Sequence, residues 1–143
     1  MPGQGAPAND AWEALLSAHA ALMKQFAAED IWAEVSMREY DVLYTLAKCP
    51  EPVRVSELHR QPALSRLVDR LAERGLVERS SDPADGRGVL LSLTAAGRAA
   101  QRQVGRQHAR GVARAMTAGL DPAELRQLET ICWKLAAAPT ARP

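Results

Sequence analysis

The amino-acid sequence predicts a mainly α-helical domain carrying one small β-hairpin, and three observations lead there. Apolar residues recur at three- and four-residue steps over most of the chain, the period of one helix face. Only Leu76 to Ser80 and Val89 to Leu93 have β character, and the eight residues between them, 81–88, are rich in Asp and Gly, as a hairpin loop requires. Helix-opening signals stand at Ser36, Thr94 and Asp121, where a side-chain oxygen can accept an orphan amide of the first turn.

Taken in order, Asn9 or Asp10 is expected to cap a first helix to about Ala28, with Trp12, Leu15, Leu16, His19, Leu22, Met23 and Phe26 on its apolar side. Ser36 and Glu39 form a capping box for a second helix bearing Tyr40, Leu43, Leu46 and Ala47, which the breaker CPEP at 49–52 ends. Arg54 and Val55 are expected to be extended, and Ser56 begins a short third helix. Pro62 suits the first turn of a fourth helix, PALSRLVDRLAERG, stopped by Gly75. Leu64, Leu67, Val68 and Leu71 make one face of it, and Ser65, Arg66, Asp69, Arg70 and Arg74 the other. After the hairpin, Thr94 caps a long helix to about Thr117, and Asp121, Pro122 and Glu124 open a last helix to about Ala137. Short helix, amphipathic helix and hairpin in sequence make a winged helix-turn-helix. The outer helices are expected to pack against those of a second copy across a two-fold axis, burying Trp12, Phe26, Met116 and Trp133.

With 143 residues, 47% of them apolar and 24% charged, the chain is the size of one soluble domain. Within it, 36–93 reads as the DNA-binding region and 9–35 and 94–138 as dimerisation helices. No apolar run approaches the roughly 18 residues of a membrane span, and MPGQGAPAN is not a basic segment leading an apolar one, so a cytoplasmic protein without membrane contact is expected. Cys49 and Cys132 read as reduced thiols. The histidines at 19, 59 and 108 are dispersed, and there is no nucleophile with a spaced base, phosphate-cradling glycine loop or metal-ligand cluster, so neither an enzyme nor a cofactor is expected. Charge is uneven: residues 1–53 hold 3 basic and 8 acidic side chains, 54–114 hold 12 and 6, and 115–143 hold 3 and 3. Of the 18 cations 15 are Arg, whose fork suits phosphate and guanine.

The basic middle points to double-stranded DNA. A helix fits the major groove, and the fourth offers Ser65, Arg66, Asp69 and Arg70 on one side, although Asp69 and Glu73 are spaced for intrahelical ion pairs with Arg66 and Arg70. In the loop DPADGRG, Gly86 and Gly88 permit tight turns and leave Arg87 as the single cation of the tip, placed to enter a narrow minor groove. Asp82 or Asp85 is placed to pair with an Arg of the recognition helix and set the angle between wing and helix. Arg98, Arg102, Arg106, Arg110 and Arg114 form a ladder, read here as the exposed side of a dimerisation stalk.

The run from Ser65 to Arg98, SRLVDRLAERGLVERSSDPADGRGVLLSLTAAGR, resembles the recognition helix and wing of the multiple antibiotic resistance regulator (MarR) family: an RLVDRLxxxGLVxR block, an Asp-x-Arg wing motif at Asp85 and Arg87, and LxLTxxG leading into the long helix. The resemblance implies a homodimeric winged-helix transcription regulator, often a repressor, released from palindromic DNA by a small phenolic or anionic ligand bound between the dimer and DNA-binding regions. It makes Gln61, Pro62, Ala63, Ser65, Arg66, Arg70, Asp85 and Arg87 the expected DNA contacts. For an aromatic-acid effector the candidates are Trp12 and His19, seven residues apart on one face, with His59 and Arg38. The chain departs from the family twice. HRQPAL (59–64) is shorter by roughly five residues than the usual turn, and a five-residue helix of about 7.5 Å braces little. The first helix also lacks the Cys of peroxide-sensing members. A winged-helix module that binds protein instead of DNA is the alternative.

Overall fold

The computed structural model describes residues 5–58 and 64–139. Five α-helices and a three-stranded sheet follow in the order α1 Gly5–Ala27, α2 Met37–Lys48, β1 Val53–Arg54, a 3-10 turn Val55–Glu57, α3 Leu64–Glu73, β2 Val77–Asp82, β3 Asp85–Leu93, α4 Ala95–Gly119 and α5 Pro122–Ala136. The predicted start of the recognition helix at Pro62 and the shortened turn at 59–63 fall outside the described residues. By packing, the chain forms two units, one up to His108 and one from Ala109, which are described separately.

Local chemistry fixes most boundaries of the first unit. Ser36 Oγ accepts the amide of Glu39 at 3.1 Å, and Glu39 Oε1 accepts the amide of Ser36 at 3.4 Å, closing the expected box on α2. Helix α3 ends in a Schellman motif: Gly75, at φ 70°, lets its own amide reach the Ala72 carbonyl at 3.0 Å and that of Leu76 reach Leu71 at 2.9 Å. The chain then passes straight into β2. Thr94 Oγ1 caps α4 by accepting the Gly97 amide at 3.0 Å while donating to the Gly75 carbonyl at 2.6 Å, so one hydroxyl joins the end of α3 to the start of α4.

The structure differs from expectation at three places. Helix α1 starts at Gly5, ahead of Asn9; Pro7 sits in its first turn, where no amide is needed, and the Asn9 amide donates to Glu13 Oε1 at 3.2 Å instead of capping. Val55 is in the 3-10 turn, and the short third helix beginning at Ser56 is, within the described residues, only that turn. The hairpin is part of a sheet ordered β1-β3-β2, with Val53 opposite Leu91 and Val77 opposite Leu93. On this sheet lie Leu43, Leu46, Val53, Leu58, Leu67, Val68, Leu71, Leu76, Val77, Leu91 and Leu93, the core.

The outer helices bury little. Phe26 is the buried residue of α1, while Trp12 remains 55% exposed beside exposed Leu15 and Leu16. In the second unit α5 opens on a capping box between Asp121 and Glu124, yet none of its residues is buried and Trp133 is 70% exposed. No described helix is long and apolar enough to cross a membrane.

Gly97 marks the tightest junction: a Cβ there would run into the carbonyl oxygen of Leu76 and lie 3.2 Å from Leu93 Cδ2. The same carbonyl accepts the Thr94 amide at 3.2 Å, so it cannot yield freely. Gly97→Ala is expected to lower stability by about 1–3 kcal/mol, the range for overpacking; thermal melting checks this, and an unchanged midpoint would contradict it.

Candidate nucleic-acid interface

Helix α3 is amphipathic in the way a groove-reading helix must be. Leu67, Val68 and Leu71 are buried, and Ser65, Arg66, Asp69 and Arg70 are exposed. Two ion pairs hold it: Arg74 Nη1 lies 3.1 Å from Glu39 Oε2, joining the end of α3 to the capping box of α2, and Arg79 Nη1 on β2 lies 2.6 Å from Asp69 Oδ1. The expected intrahelical pairing of Asp69 with Arg66 or Arg70 does not form, because the β2 guanidinium takes that carboxylate. Arg66 and Arg70 consequently have no ion-pair partner among the described residues.

The wing is longer and tighter than the sequence suggested. Only Pro83 and Ala84 separate β2 from β3, so Arg87 lies within β3, just behind the tip. Neither Gly86 nor Gly88 has a positive φ; among the described residues Gly75 alone does. Gly88 serves close approach instead, since a Cβ there would sit 3.0 Å from Asp82 Cβ and 3.3 Å from Asp82 Oδ2. A register irregularity between Ser81 and Asp82 accompanies the burial of Asp82, whose side chain is 5% exposed.

Asp82 organises this end of the sheet. Its Oδ1 accepts the Ala84 amide at 2.9 Å, shaping the tip, and its Oδ2 lies 2.8 Å from Arg54 Nε on β1. Because β1 and β2 flank β3, that pair spans the central strand, over the position where Gly88 has no side chain. The expectation that Asp82 or Asp85 pairs with an Arg of the recognition helix is thus corrected: wing and helix are joined with the charges reversed, Asp69 on the helix and Arg79 on the strand. Asp85 accepts the backbone amide of Arg87 at 3.1 Å. The Arg87 side chain is exposed and, among the described residues, unpaired.

Between α3 and the wing lies a cleft of about 520 Å³. It brings together three expected residues, Ser65, Asp85 and Arg87, with three the sequence reading missed, Arg54, Ser56 and Arg79. Arg66 and Arg70 stand outside its lining, on the exposed face of α3, and Gln61, Pro62 and Ala63 fall outside the described residues.

Of the effector candidates, Trp12 and His19 are exposed along α1 and Arg38 is exposed in the first turn of α2; His59 lies outside the described residues. The enclosed imidazole is His108 on α4, which sequence reading counted as dispersed. The rings of Phe26, Trp32 and Tyr40 surround it at centroid distances of 5.1, 5.4 and 5.5 Å, and its Nδ1 lies 3.7 Å from Glu29 Oε2. Burial raises the Tyr40 hydroxyl pKa, opposed by a hydrogen bond to Gln101; burial also raises the Asp41 carboxyl, opposed by His108. Among the described residues no group of His, Cys, Asp and Glu is placed to hold a metal.

A bracing helix turn, a recognition helix closed by a Schellman motif and a three-stranded wing together define a winged helix-turn-helix protein. A sequence model described as MarR family matches residues 34–88. The multiple antibiotic resistance protein MarR of Escherichia coli is 31% identical over 106 residues, 71% of this chain and 74% of that one. The chain belongs to the MarR family. The HTH-type transcriptional regulator ML2140 of Mycobacterium leprae is 32% identical over 80 residues, 53% of this chain and 56% of its own length; the matched stretch thus spans about half of that relative. Among solved structures, a MarR family transcriptional regulator from Streptomyces coelicolor in complex with DNA is similar at a TM-score of 0.75 and 25% identity, over 98% of this chain and 93% of that chain. The PcaV transcriptional regulator of the same organism, in complex with its natural ligand, is similar at 0.64 and 27% identity, over 96% and 94%.

The two ion pairs of the wing differ in burial, and this gives a test. Asp82→Ala removes the acceptor of the Ala84 amide and the ion-pair partner of Arg54, and is expected to destabilise by about 1–3 kcal/mol. Asp69→Ala breaks a pair exposed on both sides and is expected to remain within about 1 kcal/mol. Chemical denaturation of both variants checks the order, and equal effects would contradict it.

Proposed function

We propose that this chain is a homodimeric, sequence-specific DNA-binding transcription regulator of the cytoplasm, a repressor that a small aromatic or anionic ligand releases from a palindromic operator. The observation that carries the reading is the pairing of a free polar face on α3, bearing Ser65, Arg66 and Arg70, with an unpaired Arg87 on a wing held to that helix by Asp69 and Arg79. In this reading residues 36–93 engage the duplex, with α3 in the major groove and Arg87 in the neighbouring minor groove. Gln61, Pro62 and Ala63, which precede α3 in the sequence, and Asp85, two residues before Arg87, complete the proposed contact set. Family membership and the DNA-bound relative support it.

Dimerisation through 9–35 and 94–138 is favoured by unburied apolar surface: Trp12, Leu15 and Leu16 on α1, and Ile131, Trp133 and Leu135 on α5, are all exposed in the single chain. Exposed apolar side chains clustered along a helix in this way favour an interface. A two-fold dimer then offers two recognition helices to half-sites roughly 34 Å apart. The ligand-bound relative supports the presence of an effector, and Trp12, His19, Arg38 and His59 are the candidate residues for it.

Gel shift on the duplex upstream of the gene is the test. The wild-type chain is expected to bind, Arg66→Ala and Arg87→Ala each to bind about tenfold more weakly, and light scattering to give twice the monomer mass. Undiminished binding by both variants would overturn this site. A thermal-shift panel of aromatic acids is expected to yield one that stabilises the protein and also releases the duplex.

A further inference from the structure

We infer that the cleft between α3 and the wing is a seat for the sugar-phosphate strand, and that Arg54 is its phosphate clamp. The inference rests on the proposed binding of a duplex, and goes beyond it by assigning a residue on neither the recognition helix nor the hairpin. In B-form DNA the ridge separating a major groove from the next minor groove is one backbone strand. A protein with α3 in one groove and Arg87 in the other must straddle that ridge, and the space it leaves for it is the cleft lined by Arg54, Ser56, Ser65, Arg79 and Arg87, with two carboxylates, Asp69 engaged by Arg79 and Asp85 by the Arg87 amide.

Arg54 is built for this task. Its Nε lies 2.8 Å from the buried Asp82 Oδ2 in an ion pair whose geometry leaves that oxygen without a hydrogen bond, while its own side chain is 49% exposed and its Nη donors have no partner among the described residues. A guanidinium drawn by charge to a carboxylate on its Nε side keeps its remaining donors available to a second anion, and such a fork matches phosphate oxygens. Asp82 is the charged residue buried among the described residues; the Ala84 amide donates to its Oδ1, and its Oδ2, which has no hydrogen bond, is offset by the charge of Arg54 alone. Arg79 is similarly tethered by Asp69, but from a carboxylate that is itself 57% exposed, so its orientation is less constrained. Ser56 and Ser65 place hydroxyls in the same cleft, a further source of donors to phosphate.

Contact with phosphate carries no base information, so Arg54 supplies register and affinity while Arg66 and Arg70 read bases. The experiment is a salt titration of binding to the upstream duplex and to an unrelated duplex, with wild type and Arg54→Gln. The variant is expected to weaken both duplexes by the same factor and to lower the slope of log Kobs against log salt by about 0.9, one phosphate's worth. An unchanged slope in a folded variant would overturn the assignment. Because Arg54→Gln also removes the Asp82 pair, a second measurement uses the wild-type protein on duplexes with single neutral methylphosphonates. One position on the ridge between the read bases and the adjacent minor groove is expected to lose affinity with wild type and to lose none with the variant; the absence of any sensitive ridge position, or equal losses for both proteins, would overturn it. If the wild-type chain bound neither duplex, the regulator reading itself would fail, an outcome distinct from a duplex bound without Arg54.

Discussion

A carboxylate buried at the edge of a small sheet is the constraint on which the wing depends. Asp82 is drawn inward where the β2–β3 register shifts, and it meets Arg54 across the central strand. A buried acid without partners would be unstable there; with Arg54 and the Ala84 amide it becomes the joint of three strands. The glycine at 88 is explained by the same joint, because a side chain on β3 would occupy the space the carboxylate needs. Arg87 is thus carried within the paired strand β3 and not in the loop between β2 and β3.

The recognition helix is held by a different set of constraints. Its apolar face packs on the sheet, its C-terminal end is closed by Gly75 and pinned through Arg74 to Glu39, and its middle is joined to β2 through Asp69. Thr94 connects the same end to α4 with a single hydroxyl. Helix α4 therefore starts at a position set by the end of α3. His108 lies on α4 within rings from α1, the following loop and α2, and Gly105 on the same helix lets Tyr40 approach, its Cβ position being 3.1 Å from the hydroxyl. The outer helices complete no core of their own, and exposed Trp12 and Trp133 follow from that.

What could be read from sequence was the chemistry that acts over a few residues. Ser36 with Glu39, Thr94, Gly75 and Asp121 with Pro122 and Glu124 each satisfy backbone groups within one turn, and each does so in the structure. The amphipathic face of α3 was equally legible, since its buried and exposed residues follow one period. The wing's length was not, because Ser81, Asp82 and Asp85 lie in the Asp- and Gly-rich stretch read as loop and are paired by register alone. Arg54 with Asp82 and Asp69 with Arg79 were missed since their partners lie 28 and 10 residues apart on different elements. Asn9 looked like a cap, but a helix already begun at Gly5 turns it into an ordinary helical residue bonded to Glu13. His108 gave no signal at all, its enclosure being made by three separate segments.

The arrangement at the centre of this account is one duplex engaged by α3 and the wing together, twice. Hydroxyl-radical footprinting of the upstream duplex tests it most directly. Two protected patches related by a two-fold axis are expected, each a backbone segment bordering the minor groove beside one half-site, the half-sites themselves being about one helical turn, roughly 34 Å, apart. A single unrepeated patch, or protection that leaves the minor-groove edges fully cleaved, would contradict it.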